Sequence, residues 1–536
     1  MNKGSVRPAR LSVVVACVAL GAFFVAAMIY LAGRPLWFDE YMAETNYPLT
    51  DPASMFAPLP FHDQAAPPLF NVLMTLLWPL TFPMQRLVLG AIVLTVIVLA
   101  LWWLFRSRWS VLAGLATLLA IPLASYMATE LKYYGLEMAG CLVLAAWYMT
   151  RDADRDITWR DVAIVLGSMI TGIATIVVAG TLVGLAYLEI LARKGWPAWR
   201  ALLPGLAAAV LAIAYYLVIR HATSVQMAVY GGVYNTLGLY AIVKMAGLSL
   251  LVVDWSVAFV IIAIAGLALA ISSDRIRILR AGIAAGLLYL LFTVLSVLQI
   301  YPAIAPRHVL WVGSLAVAIS ALSVEEISRF RGPIGVRLAI GAVLALLVVG
   351  AVQARRKLPD LSQGVERNAV VLRWLENAPP SDVGLWFGAQ AMVEVERARG
   401  DEAIAKHRYH GWMNPRSVLP GPPLSEPTFR KRPYSQIAAY VEPRRSEPGA
   451  IGRFGVYHVL QDYTAPAKTL VAQMPRGKTA YIISTFVPWD ADEFGIHLGQ
   501  VAMQKALTDA GCRYTPKIRV RRAFVLEIFC PPAPAD

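Results

Sequence analysis

The stretch at residues 11–40, LSVVVACVALGAFFVAAMIYLAGRPLWFDE, decides the fold. Residues 11–33 are mostly apolar, and at about 1.5 Å per residue such a run is long enough to cross a hydrocarbon core about 30 Å thick. The run is too long for the core of a signal peptide and has no clear small-residue cleavage site, so we expect it to stay as a membrane helix. Two adjacent carboxylates, Asp39 and Glu40, follow where the chain leaves this helix.

The composition of the whole chain indicates a polytopic membrane protein. Of its 536 residues, 58% are hydrophobic and 15% are charged, and several further apolar runs are long enough to span a bilayer. The formal net charge is +14, but most Lys and Arg before the last third lie in short clusters between apolar runs, where such residues set topology. We therefore expect the lipid bilayer, and no nucleic acid, as a partner.

Basic residues fix the orientation of the first span. Lys3, Arg7 and Arg10 precede it, so the positive-inside rule puts the N-terminus in the cytoplasm and Asp39 on the outer face. The same rule followed along the chain gives about 11 spans and an outer C-terminal region. The predicted spans are residues 11–33, 84–105, 109–127, 131–149, a pair of helices within 162–191, 201–219, 256–271, 281–300, 308–322 and 338–354.

Two further apolar stretches, 67–79 and 236–253, are predicted to lie along the outer membrane interface. The first is short for a span, and crossing the bilayer there would invert every later loop. If 236–253 crossed, the basic loop SDRIRILR at 273–280 would fall outside, against the charge rule.

The pattern changes after the last span. Residues 1–354 are predicted to form the membrane domain, with a first outer loop at 34–83, and residues 355–536 a soluble α/β domain on the outer side. There the strand-like DVGLWFG precedes the helical AQAMVEVERARG. The alternation is repeated by the strand-like TAYIISTFV, the helical EFGIHLGQVAMQKALTDAG and the strand-like AFVLEIF. Cys512 and Cys530 lie in this domain and are candidates for a disulfide, a pairing that the sequence leaves open.

Polar residues from distant parts of the sequence collect on the outer face in this topology. They are Asp39, Glu40, His62, Asp63, Arg86, Glu130, Lys132, Tyr133, Tyr134, Tyr301, Arg307 and His308. Each has a structural alternative: Asp39 and Glu40 suit the start of an interfacial helix, Lys132 and Arg307 suit lipid headgroups, and the histidines suit an ordinary surface. The joint occurrence of acids and bases at one membrane surface favours a functional site over these structural alternatives.

Four motifs in this set resemble the GT-C membrane glycosyltransferases. They are LWFDE after the first span, PPLF some 30 residues later, ELKYYGLE opening a later span, and Arg307 in a late outer loop. The set is similar to the branch of the protein O-mannosyltransferases and of the bacterial enzymes that transfer aminoarabinose or galacturonic acid to lipid A, over roughly residues 10–355. The resemblance implies a polyprenyl-phosphate sugar donor, an active site on the periplasmic face and inversion at the anomeric carbon.

The chain departs from this family at two positions. Many relatives have a His or a Glu-Lys pair before the Pro-Pro, where this chain has Ala65 and Ala66, and Lys132 stands where the family signature has Arg. Contact with the donor phosphate is therefore expected from Lys132, Arg307 or His62, unless the donor is seated differently. A divalent metal ion is a possible cofactor that the sequence does not assign to ligands.

The chemistry gives the two carboxylates different roles. A hydroxyl is a poor nucleophile, so a carboxylate that accepts its proton speeds the attack, and Asp39 is our candidate base. Glu40 would orient the base, bind a sugar hydroxyl or bind a metal. A phosphate leaves as a stabilised anion and needs fixed positive charge, for which Lys132, Arg307 and His62 are the candidates. The residues expected to contact substrate are Asp63, Arg86, Glu130, Tyr133, Tyr134, Tyr301 and His308.

These features together predict a glycosyltransferase of the bacterial inner membrane, monomeric, with the C-terminal domain in the periplasm. The acceptor is expected to be a hydroxyl of an envelope lipid, glycan or protein. Two alternatives stay open: a lipid-linked oligosaccharide ligase or polymerase, and a transporter. Transport would need charges along a path, and Glu137 and Lys244 are the main ionisable residues inside apolar runs.

Overall fold

The structure of the chain is a computed structural model. It describes residues 6–44, 46–47, 56, 59, 66–195, 199–223, 240–298, 300–301, 303, 305–362, 368–386, 389–410, 464–485, 497–520 and 523–532. These residues divide into two compact units. The helical unit draws on Met1–Gly33, Ala66–Arg220 and Tyr234–Ser362, and the mixed unit on Arg34–Ala65, His221–Val233 and Gln363–Asp536.

The helical unit is a bundle of apolar helices. In chain order they are α1 (Val6–Ala32), α3 (Pro68–Leu77), α4 (Phe82–Phe105), α5 (Arg108–Ala120), α6 (Pro122–Ala128), α7 (Tyr134–Thr150), α8 (Trp159–Met169), α9 (Ala174–Lys194), α10 (Trp199–Ala222), α11 (Tyr240–Val253), α12 (Trp255–Ile271), α13 (Arg275–Val297), α14 (Trp311–Arg329) and α15 (Pro333–Ser362), with a 3₁₀ turn at Pro306–Val309. Helix α2 (Phe38–Glu44) belongs to the mixed unit.

The predicted apolar segments are helices, and not all of them are long enough to span a membrane alone. Seven helices among the described residues are long and apolar enough to cross a membrane, or up to nine if each of two bent pairs counts as one span. All of the predicted segments are helical, but two are short: α7 has 17 residues and α8 has 11. The polar turn before Tyr134 shortens α7, and α8 ends before Gly172, as the tight pair of helices predicted within 162–191 requires.

Two sharp bends interrupt the bundle. Helices α5 and α6 meet at 90°, where Pro122 opens α6 and disfavours helical geometry at the preceding Ile121. Helices α11 and α12 meet at 87° at Asp254, whose positive φ of 66° breaks the helix. Asp254 accepts from the Ser256 N–H at 3.0 Å and pairs with Lys357 of α15 at 3.2 Å. Residues 240–271 therefore do not form one straight span, and an interfacial position for α11 stays a prediction.

Short helix α3 agrees with the predicted 67–79 segment. Its 10 residues begin directly after Pro67, with Pro68 at the first helical position, where the missing N–H costs no hydrogen bond. This length is too short to span a bilayer. Its position along the interface is a prediction that the structure does not test.

Carboxylates within the bundle have structural partners. Oε2 of Glu137 accepts from the N–H groups of Ile173 and Ala174 at 2.6 and 2.7 Å, so it caps the start of α9. Glu189 accepts two hydrogen bonds from Arg280, each at 2.8 Å. These contacts satisfy the two carboxylates inside the helical unit and explain why apolar runs contain them.

The mixed unit contains a five-stranded sheet. Its strands are β1 (Asp382–Trp386), β2 (Arg408–His410), β3 (Thr479–Ser484), β4 (Arg513–Val520) and β5 (Ala523–Phe529). The order across the sheet is β2-β1-β3-β5-β4, with β1 parallel to β2 and β3, and with β5 antiparallel to β3 and β4. The predicted α/β domain is confirmed as a mixed sheet with helices.

Five described helices accompany this sheet. They are α16 (Asn368–Asn377), α17 (Ala389–Ala398), α18 (Glu402–Ala405), α19 (Thr464–Gln473) and α20 (His497–Asp509). Leu470 of α19 and Leu507 of α20 are buried in one core with Ile482 and Phe524 of the sheet. This core explains why β1, β3 and β5 read as apolar runs.

Strands β2 and β4 were missed in the sequence because they lie at the edges of the sheet. Strand β4 alternates between exposed and partly buried residues and contains Pro516, next to a shift in register. Pro and charged side chains are tolerated at an edge, where one side of the backbone needs no partner. Such a strand lacks the apolar signal on which the prediction relied.

The two cysteines of the mixed unit form a disulfide. Cys512 precedes β4 and Cys530 follows β5, so the antiparallel pairing of these strands brings the two thiols together across 18 positions of sequence. Cys17 and Cys141 are free thiols in α1 and α7. The bond closes the β4–β5 hairpin at its open end.

We expect loss of this disulfide to destabilise the mixed unit by about 3 kcal/mol, because a cross-link over a loop of this size restricts the unfolded chain. The double variant Cys512→Ala/Cys530→Ala should become sensitive to protease at lower urea than the wild type, and reductant should move the wild type to the same midpoint. Cys17→Ala is the matched control and should leave the midpoint unchanged. Equal midpoints for wild type and double variant would rule out a stabilising role.

Candidate functional site

The turn before α7 buries a lysine. Glu130 is fully buried and Lys132 is 6% exposed, in the ELKYY segment that leads into the helix. The turn fits closely against the end of α6: a Cβ on Gly135 would lie 2.7 Å from the Met127 carbonyl oxygen and 2.9 Å from the Ala128 Cα. Glycine at 135 therefore allows the start of α7 to lie against the end of α6.

The 3₁₀ turn at Pro306–Val309 presents Arg307 and His308. The His308 N–H donates to the Ala305 carbonyl at 2.9 Å, and the Tyr301 hydroxyl donates to the His308 carbonyl at 2.7 Å. Tyr301 itself packs edge-on against Phe292 of α13 at 4.8 Å. These contacts fix the turn from both sides.

Aromatic contacts join the turn before α7 to the 3₁₀ turn. The Tyr134 hydroxyl lies 3.4 Å from Nε2 of His308, and the two rings are 5.9 Å apart. The guanidinium carbon of Arg307 lies 5.9 Å from the centre of the Tyr134 ring, within cation–π range. Tyr133 packs against Tyr134 at 4.6 Å and edge-on against Phe70 of α3 at 6.3 Å.

A third basic residue belongs to the same region. Helix α11 packs against the 3₁₀ turn and carries Lys244, which is partly buried. Removal of the His308 ring from water lowers its pKa well below the ordinary value, and the charges of Arg307, Lys244 and Lys132 lower it further. His308 is therefore neutral near pH 7 beside three cations. We call Lys132, Tyr134, Lys244, Arg307 and His308 the cationic cluster.

The cationic cluster is suited to an anion with more than one charge. Lys132 and Lys244 present compact ammonium charges with three donors each, while Arg307 presents a planar fork that matches phosphate oxygens. Interactions between charges are stronger where water is excluded. In the sequence, Lys244 stands out only as an ionisable residue inside an apolar run. The bend at Asp254 separates α11 from α12, and a hydropathy pattern does not show such a bend.

The two carboxylates that follow α1, Asp39 and Glu40, lie in the mixed unit. Asp39 and Glu40 occupy the first turn of α2. Glu40 is fully buried: its Oε1 accepts from Arg34 Nη2 at 3.3 Å and its Oε2 from the Trp37 N–H at 3.2 Å. A glutamate at the third helical position that binds the N-cap N–H is half of a capping box. Among the roles expected for Glu40, these contacts favour the orienting one.

Asp39 has a different environment from its neighbour. Its side chain is partly buried, whereas that of Glu40 is fully enclosed. Two adjacent residues of a helix point about 100° apart, which explains how one side chain meets solvent while the other enters the core. Asp39 therefore keeps the accessibility that a proton acceptor needs, and its role as base stays a prediction.

The remaining predicted site residues fall into three groups. Arg86 is fully buried and donates to the Ala32 carbonyl at 3.1 Å, which caps α1, and its contact with substrate stays a prediction. Glu130, Tyr133 and Tyr301 lie in or beside the cationic cluster. His62 and Asp63, like the Ala65 of the expected phosphate position, lie outside the described residues.

The structure thus brings part of the predicted set together. Tyr133, Tyr134, Tyr301 and His308 are linked by contacts within the helical unit, with Lys132 and Arg307 beside them. Asp39 and Glu40 are held together within the mixed unit. In the described part of the chain, no group of three or more His, Cys, Asp or Glu side chains is arranged to hold a metal ion.

Comparison with known proteins identifies the fold. No family model matches the chain, and no curated protein sequence matches it. The crystal structure of ArnT from Cupriavidus metallidurans in the apo state is similar with a TM-score of 0.50 and 14% identity, over 97% of this chain and 98% of that chain. The structure of ArnT from Cupriavidus metallidurans bound to undecaprenyl phosphate gives 0.49 and 14%, over 96% and 97%.

An identity of 14% supports a statement about fold alone. The similarity to the apo structure extends over nearly the whole of both chains, including the apolar helices and the C-terminal sheet. The chain therefore has the GT-C architecture, a polytopic α-helical membrane protein with a C-terminal α/β domain.

The neutral state of His308 predicts an acid-sensitive fold. In the unfolded chain His308 takes up a proton below about pH 6.5, whereas the folded protein resists it, so stability is full above that pH and falls as the pH decreases. The contribution is at most about 1.4 kcal/mol per pH unit for one proton. Melting temperatures of the detergent-solubilised protein between about pH 7.5 and about pH 5.5 measure it.

The control compares two histidine variants. His308→Gln should flatten the decrease in melting temperature towards acid, while His221→Gln, at an exposed histidine of α10, should keep the wild-type dependence. The same pH dependence in all three proteins would contradict a neutral His308.

Proposed function

We propose that the protein is an inverting glycosyltransferase that moves a sugar from a polyprenyl-phosphate donor to a hydroxyl of an envelope lipid, glycan or protein. The observation that carries this proposal is the cationic cluster, in which Lys132, Lys244 and Arg307 lie close enough to His308 to lower its pKa, within a GT-C fold. The reaction would take place at the periplasmic face of the bacterial inner membrane.

The leaving group explains the need for fixed positive charge. When the bond between the anomeric carbon and the phosphate oxygen breaks, negative charge develops on the phosphate, and cations that are already in place stabilise it without reorganisation. Lys132 and Lys244 supply point charges, and Arg307 can bind two phosphate oxygens at once. Neutral His308 can donate or accept a hydrogen bond there without adding a fourth charge.

The acceptor hydroxyl needs a base. Asp39 would accept its proton as the oxygen attacks the anomeric carbon on the face opposite the phosphate, which inverts the configuration. A carboxylate in this role contributes on the order of 10²–10⁴-fold. Glu40 would orient Asp39 by capping α2, consistent with its contacts to Arg34 and the Trp37 N–H.

The location of the basic groups supports a lipid-linked donor. Lys132 lies in the turn before an apolar helix, and Arg307 in the turn between two others. The tail of a polyprenyl donor stays among lipid chains, so its phosphate lies at the depth where helix ends project from the bilayer. A soluble nucleotide-sugar would have no need for a site at that depth.

Transport, an alternative left open by the sequence, is less well supported. A transporter is expected to place ionisable groups along a path through the bilayer. Glu137 instead caps α9 and Glu189 binds Arg280, both of which are structural roles. The ligase or polymerase alternative shares the donor chemistry and differs in the size of the transferred glycan.

Replacement of the proposed base tests the reaction. In cells that lack the gene, a plasmid with wild type should restore a sugar on an envelope lipid, glycan or protein, whereas Asp39→Asn should not, because an amide accepts no proton near pH 7. Mass spectrometry of envelope lipids and glycans measures the product, and a mass difference of one sugar separates this function from oligosaccharide transfer.

The matched control is Asp509→Asn, an exposed carboxyl of the mixed unit, which should behave as wild type. Immunoblots must show equal amounts of each protein in the membrane. Full restoration by Asp39→Asn would show that Asp39 is not the base. If glycans and lipids are the same in cells with and without the wild type, this result counts against sugar transfer.

Loss of a cation should weaken binding of the lipid phosphate. We expect Lys132→Ala, Lys244→Ala and Arg307→Ala each to raise the dissociation constant for undecaprenyl phosphate by about 10- to 100-fold, the value of a hydrogen bond to a charged group. Native mass spectrometry of the purified protein measures this without knowledge of the sugar. Lys505→Ala in the mixed unit is the control, and unchanged binding in all three variants would assign these residues to lipid headgroups.

A further inference from the structure

Helix α2, which carries Asp39, packs against α17 of the same unit. The Tyr41 hydroxyl donates to Oε1 of Glu396 at 2.9 Å, and Nη2 of Arg399 lies 3.4 Å from Oε2 of Glu44. On the α2 side both groups are enclosed, since Tyr41 is 3% exposed and Glu44 is fully buried. On the α2 side, the contact therefore involves polar groups that are buried.

The two contacts lie on one side of α2. Tyr41 and Glu44 are three positions apart, which places them on neighbouring points of a helix surface. Asp39 lies two positions before Tyr41. At about 100° per residue, the two side chains are separated by about 160° around the helix axis. Helix α17 thus holds the side of α2 that faces away from Asp39, and it can set the direction of Asp39 without covering it.

Both ends of α2 are tied within the same unit. At the N-terminal end Glu40 binds Arg34 and the Trp37 N–H, and Asn368 of α16 donates to the Leu36 carbonyl at 3.4 Å. At the C-terminal end the Asn46 amide donates to the Met42 carbonyl at 2.8 Å. The residues around α2 are therefore fixed by groups of the C-terminal domain and by caps of their own.

A helix of this length needs such support. Helix α2 has seven residues, and isolated helices shorter than about 12–15 residues are marginal in water. Its geometry must come from tertiary contacts, and these include Asn368 of α16, Glu396 of α17 and Arg399 directly after α17. The direction of the Asp39 side chain thus depends on residues more than 300 positions away in sequence.

We propose that Glu396 and Arg399 of the C-terminal domain are positioning residues that hold α2 and thereby orient Asp39 for proton transfer. This inference rests on the proposed function. It gives the C-terminal domain a part in the reaction that the sequence could not assign. Misplacement of a reacting group by about 1 Å can cost 10²-fold in rate, so release of α2 should affect turnover while binding of the lipid phosphate stays intact.

The first experiment reads the position of residue 39 without using activity. A cysteine is placed by Asp39→Cys in a Cys17→Ser/Cys141→Ala background, with the Cys512–Cys530 disulfide retained, and its rate of labelling by a charged maleimide is measured in membranes. In the Glu396→Leu/Arg399→Met double variant we expect the rate to rise about tenfold or more, because a released seven-residue helix frays.

The second experiment measures turnover with Asp39 in place. The same double variant should lose about 100-fold in kcat, while its dissociation constant for undecaprenyl phosphate stays at the wild-type value, which a globally damaged protein would not achieve. Glu396→Gln keeps an acceptor for the Tyr41 hydroxyl and should restore both readouts towards wild type in the Arg399-intact protein. Arg397→Met, at an exposed arginine of the same helix, is the matched control and should change neither readout.

The outcomes separate this inference from the proposed function. Unchanged labelling, or unchanged kcat, in the Glu396→Leu/Arg399→Met variant would overturn the positioning role, whatever the reaction. If labelling rises in that variant while Asp39→Asn retains full sugar transfer, the hold on α2 stands as a structural contact but the inference fails, because Asp39 is then not the base. If glutamine at 396 behaves like leucine, the Tyr41 contact is not what holds α2.

Discussion

The concentration of positive charge around His308 is the constraint on which the candidate site depends. Partial burial of the His308 imidazole lowers its pKa, and three basic side chains from separate parts of the chain lower it further. Like charges at short range repel, more strongly where water is excluded, and an anion that enters relieves this repulsion. In the proposed function, this attraction for an anion would contribute to binding of the donor phosphate.

Elsewhere in the helical unit, carboxylates have structural partners. Glu137 meets the N–H groups at the start of a helix, Glu189 meets Arg280, and Asp254 meets Lys357. Each of these pairs satisfies a carboxylate and stabilises a helix end or a bend. These contacts give the three carboxylates roles in maintaining the fold.

Much of the fold could be predicted from the sequence because its signals are local. Apolar runs located the helices of the bundle, and AFVLEIF matches β5 at both ends. The polar edge strand β4 and the bend at Asp254 were not predictable, since each depends on partners distant in sequence. The same limit applies to the site: Lys132 and Arg307 were found by residue type and topology, whereas the contribution of Lys244 required the bend.

Chemistry and architecture can use the same groups. Arg86 caps α1 and Glu40 caps α2, and the roles predicted for them in the site stay predictions. A hydropathy pattern cannot tell a buried cap from a ligand, because both need a charge near a helix end.

The dependence of a short helix on distant contacts has a consequence for inhibition. If α2 is held by Arg399 and Glu396, the enzyme could be silenced by a water-soluble molecule that binds the C-terminal domain and competes for the Arg399 guanidinium. Such a compound would not have to resemble a lipid, enter the bilayer or displace a tightly bound donor. The most accessible weak point of a membrane enzyme would then lie in its soluble part.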